Sequence, residues 1–178
     1  MTTYYKVLGP GRTACHGGTG TWPEPGGWLE VKGEVIPCRN GLHLTDLDHL
    51  IDWLGPEIWE AEVHPAATVI EHGDKIAVSK ARLVRRLDAW DDRTARLFAA
   101  DCAEHVLHLS PAAVRGAAAL LSPYDAAWVA AWVAARAAAA RAARAAAGAG
   151  YAAAYAAARD AEREWQTARL ARYLGIEP

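Results

Sequence analysis

Apolar and acidic residues alternate through Ile58–Val63 (IWEAEV), the period of two expected of a strand with one buried face. Tyr4–Leu8 (YYKVL) reads the same way and is closed by Gly9-Pro10-Gly11. Residues 9–27 form a long Gly/Pro loop. Trp28–Val31 and Val35–Cys38 are predicted as a hairpin around Lys32-Gly33, and Leu42–Thr45 as a short extended piece. A change of period follows: Leu47, Leu50, Ile51 and Leu54 share one helical face, so a helix is predicted over 46–54. Thr45 or Asp46 caps its start and Gly55-Pro56 stops it. Thr68–Ile70 and the unbroken run Lys75–Leu87 (KIAVSKARLVRRL) are read as further strands. Asp91 or Asp92 then caps a helix running to about Leu109. The fold class expected is α+β: a small, mostly antiparallel sheet domain followed by long alanine-rich helices.

The pattern changes at Ser110-Pro111, which sets the expected domains at 1–109 and 110–178. Of the 36 residues from Ala126 to Ala161, 23 are alanine, the best helix former. Helices are predicted over about 111–121 and 124–174, with a possible break at the glycines of 148–150. Trp128, Trp132, Val129, Val133, Arg136, Tyr155 and Trp165 gather on one broad side. Ala138, Ala142, Ala145, Ala149, Ala152, Ala153 and Ala156 fall opposite. Such a face permits close helix approach, either to the short helices of this chain or to another copy. Few other long helices are available, so a homo-oligomer through the alanine-rich helix is the expectation.

Composition removes several classes of function. The net charge is −2, made of −5 in residues 1–109 and +3 in 110–178, which is no polyanion-binding signature. Arg136, Arg141, Arg144 and Arg159 are sparse and better suit solubilising an alanine helix, with nucleic-acid binding through this Arg-bearing helix as a second alternative function. No stretch of about 20 uncharged apolar residues exists to span a membrane, and no basic-then-apolar leader opens the chain. Cys15, Cys38 and Cys102 contain no CxxC pair, which fits reduced thiols and a cytoplasmic location. Cys102/His105/His108 and Cys15-His16/Cys38/His43 lack recognised metal spacing, so no metal site is expected. The loop from Gly9 to Gly20 is neither GxGxxG nor followed by GK[ST], and none of the three serines sits in GxSxG. What remains is a domain that binds a ligand or partner through loop 9–27 and the surroundings of His43.

The order of pieces over residues 40–87 (NGLHLT, a helix, IWEAEV, DKIAVSKARLVRRL) resembles the second half of ADP-ribosyltransferases of the poly(ADP-ribose) polymerase type. The resemblance implies a catalytic set of His16, His43 and Asp74. His43 stands where the family has Tyr, Asp74 where it has its catalytic Glu, and His16-Gly17 at the first-strand His-Gly. Glu60, Glu62 and Glu71 are the alternative acids. It also implies NAD as the substrate, with the carboxylate stabilising an oxocarbenium-like transition state. The longer pattern YYKVL…VIPCRNGLHL…WLGPEIWEAEV…DKIAVSKARLV also resembles a domain of actinobacterial and phage proteins that often precedes alanine-rich tails. That likeness implies no particular activity and an accessory role. Arginine outnumbers lysine 15 to 4, the bias of high-GC coding, in keeping with that source.

Overall fold

The computed structural model describes residues 3–106, 122–145 and 151–176. It divides into two compact units, Met1–Trp90 and Asp91–Pro178. The fold is α+β, with two antiparallel sheets in the first unit and helices in the second. The expected boundary at 109/110, the helix over 111–121 and the break at 148–150 lie outside the described residues.

In the first unit β1 (Tyr4–Leu8), β4 (Glu57–Val63), β7 (Lys80–Arg86) and β2 (Trp28–Glu30) form a sheet in the order β1-β4-β7-β2. A second sheet has the order β3-β6-β5, from Leu42–Leu44, Lys75–Val78 and Val69–His72. The expected strands at 4–8 and 58–63 are present. The run Lys75–Leu87, read as one strand, is two strands of different sheets. Ser79 is the crossing point: its N–H donates to Thr68 O at 3.0 Å and its carbonyl accepts from Val31 N at 2.9 Å. Its hydroxyl accepts from Thr68 N at 2.9 Å. Every backbone group at the crossing is thereby satisfied, and the chain changes sheets without interrupting its apolar pattern.

The hairpin expected around Lys32-Gly33 does not form, because Trp28–Glu30 pairs with Arg82, Ala81 and Lys80 of β7 instead. Residues 35–40 make a tight turn closed by an Ile36–Asn40 bridge, with the Asn40 amide donating to the carbonyls of Lys32 and Glu34. The expected helix over 46–54 is shorter. Leu47–Leu50 (α1) is capped by the Asp46 carboxylate on His49 N at 2.9 Å, and one tighter turn follows at Ile51–Trp53. Leu8, Trp22, Leu42, Leu44, Trp59 and Val78 lie in the core between the sheets.

The second unit packs α2 (Asp92–Val106), α3 (Pro123–Ala145) and α4 (Tyr151–Tyr173). Thr94 N–H donates to the Asp91 carboxylate, and Asp91 N–H to the Thr94 hydroxyl, a reciprocal cap at the start of α2. Ala127, Ala130, Ala131, Ala134 and Ala139 are buried along α3, among the helices of this chain. The alanines expected to pair elsewhere differ from these. Ala138 and Ala142 are half-buried, Ala152, Ala153 and Ala156 are exposed, and the side chains of Ala145 and Ala149 are outside the description. No described helix is long and apolar enough to cross a membrane.

One interaction places loop 9–27 on the first sheet. The buried Glu57 carboxylate accepts from Gly11 N at 2.9 Å, Arg12 N at 3.2 Å and Trp59 Nε1 at 3.0 Å. Gly11 and Arg12 both have positive φ, 68° and 61°, which turns their amides onto the carboxylate. Glu57→Ala strands three donors and should destabilise the first unit by about 2–4 kcal/mol. Urea unfolding followed by tryptophan fluorescence measures the loss.

Candidate functional site

The loop held by Glu57 is not shapeless. Thr13 bridges Gly9 and Thr21, Ala14 N donates to Gly20 O, and Trp22 N donates to Arg12 O. These contacts make residues 13–22 a hairpin-like flap whose tip is His16-Gly17-Gly18-Thr19. Gly17 and Gly20 have φ of 84° and 88°, a region side chains disfavour. His16 shares it at 54°, a conformation costing about 1 kcal/mol for a non-glycine residue. Two contacts hold His16 there. Its Nε2–H donates to Trp53 O at 3.0 Å, and its ring meets the Trp53 indole edge-on at 5.5 Å. Gly55 makes room, since a Cβ there would lie 2.7 Å from Val7 Cγ1.

Flap, β1, β3 and the turn at 38–41 enclose a cavity of about 650 Å³. His16 and His43 both line it; Asp74 does not. Asp74 sits in the two-residue turn joining β5 to β6, where Gly73 has φ of 62°, and its carbonyl accepts from the Thr45 hydroxyl at 2.9 Å. Its carboxylate lies 3.9 Å from Lys75 Nζ. The other acids are engaged or lie elsewhere. Glu60 pairs with Arg85 and Glu62 with Arg82 across β4 and β7, and Glu71 is exposed on β5. The structure therefore brings two of the three residues implied by the transferase resemblance to one cavity and leaves the third outside.

Sequence reasoning missed the cations. Lys6, Lys75 and Arg39 line the cavity, and no Asp or Glu among the described residues does. Lys75 Nζ lies 4.3 Å from the Trp53 ring and Lys6 Nζ 5.7 Å from the Trp22 ring, so each ammonium rests on an aromatic face. Alternation within YYKVL puts Lys6 on the same face as Tyr4 and Leu8, the one signal that could have found it. Lys75 carried no such signal, because it opens a strand whose partner sheet was not foreseen.

His43 is a neutral acceptor in this setting. Its Nε2 accepts from Cys38 N at 3.0 Å, which places the ring hydrogen on Nδ1. Burial, and then the positive charges of Lys6, Lys75 and His72, hold its pKa below the ordinary imidazole value. The Cys15 thiol donates to Val7 O at 3.4 Å; burial raises its pKa, with Lys6 acting in the opposite direction. Cys15, His16, Cys38 and His43 share the cavity, yet no three ligands converge on a metal position among the described residues. The other cluster is divided too. Cys102 is buried, His105 Nδ1–H donates to the Glu162 carboxylate at 3.0 Å while the ring stacks on Trp165, and His108 is outside the description.

Compared with protein-family models, with curated proteins and with solved structures, the chain matches none. The chemistry of the cavity has to be read from its own residues. What they can do is hold negative charge in a pocket with two indole walls.

The depressed His43 pKa gives a pH dependence of definite sign. Below the ordinary imidazole value of about 6.5 the unfolded chain binds this proton and the folded chain resists it. Stability should therefore fall as pH drops through that value towards the folded pKa, and the slope should shrink in His43→Gln. Urea midpoints between neutral and mildly acidic pH test this, alongside the ring signals of His43 by NMR. An unchanged slope in the variant would assign the loss to other groups.

Proposed function

We propose that the first unit is a binding domain for a small anionic molecule, a phosphate or carboxylate compound, taken into the cavity between flap and sheets. The observation carrying this reading is the lining: three cationic side chains and two histidines with no carboxylate among the described residues, in a unit, residues 1–90, whose formal charge is −3. Most acids of this unit meet arginines or lysines elsewhere, as Glu30 does with Lys80 at 2.8 Å. The cavity is left as the positive region of an acidic unit, which concentrates anions there. The indole faces of Trp22 and Trp53, each already beside an ammonium, favour a ligand with a flat or apolar portion next to its charge.

A second reading, NAD-dependent ADP-ribosyl transfer, draws support from His16 and His43 lining one cavity, and NAD is itself an anionic dinucleotide. That no carboxylate among the described residues lines the cavity weighs against it, because that chemistry needs negative charge near the oxocarbenium centre. Calorimetry with inorganic pyrophosphate, ADP-ribose and NAD separates the two. The first reading expects heat with pyrophosphate or ADP-ribose. Lys75→Ala removes a charged contact of about 1.5–3 kcal/mol, or roughly 10–100-fold in affinity. Nicotinamide release from NAD, lost in His43→Ala, would favour the transferase. Silence with all three ligands would remove both readings.

For the second unit we propose pairing between copies through α4, where Ala152, Ala153, Ala156 and Ala157 are exposed on one helix. Alanine faces allow close approach but bury little area per residue, so a long contact is needed. Light scattering should show a mass above the monomer that falls in Ala152→Glu. A monomeric mass at every concentration would end the idea.

A further inference from the structure

Lys6 differs from the other lysines of this chain, of which there are three: Lys32, Lys75 and Lys80. Lys80 is paired with Glu30 at 2.8 Å, Lys75 has the Asp74 carboxylate at 3.9 Å, and Lys32 is exposed to solvent. Lys6 has no carboxylate partner among the described residues. It stands in the middle of β1, opposite Trp59 of β4, so its backbone is fixed from one side by the sheet. Its ammonium lies 5.7 Å from the Trp22 ring, under the flap, and no acid among the described residues lines that cavity.

We propose that Lys6 is a nucleophilic amine that condenses with the carbonyl of an anionic aldehyde or ketone held in this cavity. The assignment of the anionic class rests on the binding function proposed above; the amine itself rests on the placement of Lys6. The chemistry asks for three things, and the cavity supplies each. A nucleophilic lysine must spend time unprotonated, which a partly dehydrated site with no carboxylate among the described residues favours, since only the weaker Trp22 face meets the ammonium. Burial does lower the Lys6 pKa from its ordinary value, with Cys15 opposing in part. The substrate's charge must be anchored away from the amine, and Lys75 and Arg39 line the same cavity. The amine must also be held in place, and its strand position and the Trp22 face do that.

The step balances without any further reagent. The Lys6 nitrogen lone pair adds to the carbonyl carbon to give a carbinolamine. Loss of the former carbonyl oxygen as water then leaves a C=N bond. Protonated lysine and carbonyl compound thus give a protonated imine and one water molecule. No oxidant or reductant takes part.

The experiment uses the full chain, with pyridoxal phosphate as the anionic aldehyde and benzaldehyde as the uncharged one. Imines are fixed with cyanoborohydride, and peptide mapping reads the four lysines. The expected result is modification of Lys6 by pyridoxal phosphate several-fold faster than Lys32, slowed by inorganic pyrophosphate and persisting to lower pH than at Lys32. Lys6→Arg should lose the adduct while unfolding in urea as the unaltered chain does, which shows that the variant is folded and that charge alone is not the reactive feature. Labelling in order of exposure, with Lys32 first, would overturn the amine even if pyrophosphate binds. Lys6 reacting first with benzaldehyde, while pyrophosphate neither binds nor protects, would overturn the anionic class and retain the amine.

Discussion

The first unit depends on a single carboxylate. Glu57 opens β4, where an ionised side chain would ordinarily face water, yet it is buried against two loop amides and the Trp59 indole, with Arg86 Nη1 at 3.6 Å. Burying a carboxylate is costly unless its lone pairs are filled. Here the filling groups are the backbone of residues 11 and 12, so satisfying the charge and fixing the loop are one event. From that point the flap follows: Arg12 O takes the Trp22 amide, Trp22 enters the core, and Cys15 and His16 are carried to the cavity edge. Without the anchor, a segment with so many glycines would lose too much conformational entropy on ordering to remain in place.

This arrangement explains which features could be read from the chain and which could not. The strands at 4–8 and 58–63 and the α+β class are local, period-two and helical signals, and those were legible. Ser79 was not, because KIAVSKARLVRRL keeps its strand character on both sides of the crossing; only the pairing partners reveal that it serves two sheets. Val35–Cys38 misled for the converse reason. Its composition suits a strand, but β2 finds its partner in β7, and Cys38 is left at φ of 63° in a turn. His16 and His43, far apart in sequence, share a cavity. The expectation for Asp74 rests on motif position alone, and a two-residue hairpin turn holds it outside.

Charge in the first unit is sorted by sheet geometry. Glu60 and Glu62 face Arg85 and Arg82 across the β4–β7 pairing, with the register shift at Glu60/Ala61 between the two pairs. These ion pairs are partly or wholly exposed and contribute little to stability individually. Their consequence is elsewhere. By engaging acids on the far strands, they leave β1, β3 and the flap to supply the cavity wall, which carries lysine and histidine but no carboxylate among the described residues. A negative unit thereby encloses a positive pocket, which average composition conceals.

The helical unit faces a different problem. Alanine stripes fit together in several registers with similar energies, because each contact buries the same small surface. Side chains with directional bonds break that degeneracy. Asp101 accepts from Arg169 Nε at 2.5 Å and Tyr173 OH at 2.6 Å, tying α2 to α4 at one level. Fully buried Gln166 donates to Ala131 O at 2.8 Å and to Glu162 at 3.0 Å, fixing α4 on α3, while Glu162 also meets His105. Gln166 Oε1 has no partner among the described residues, an omission costing about 1–3 kcal/mol. An apolar residue at 166 would avoid that cost but could not distinguish one alanine turn of α3 from the next. A polar contact that is imperfectly satisfied yet unique is how an alanine-rich bundle acquires a single register.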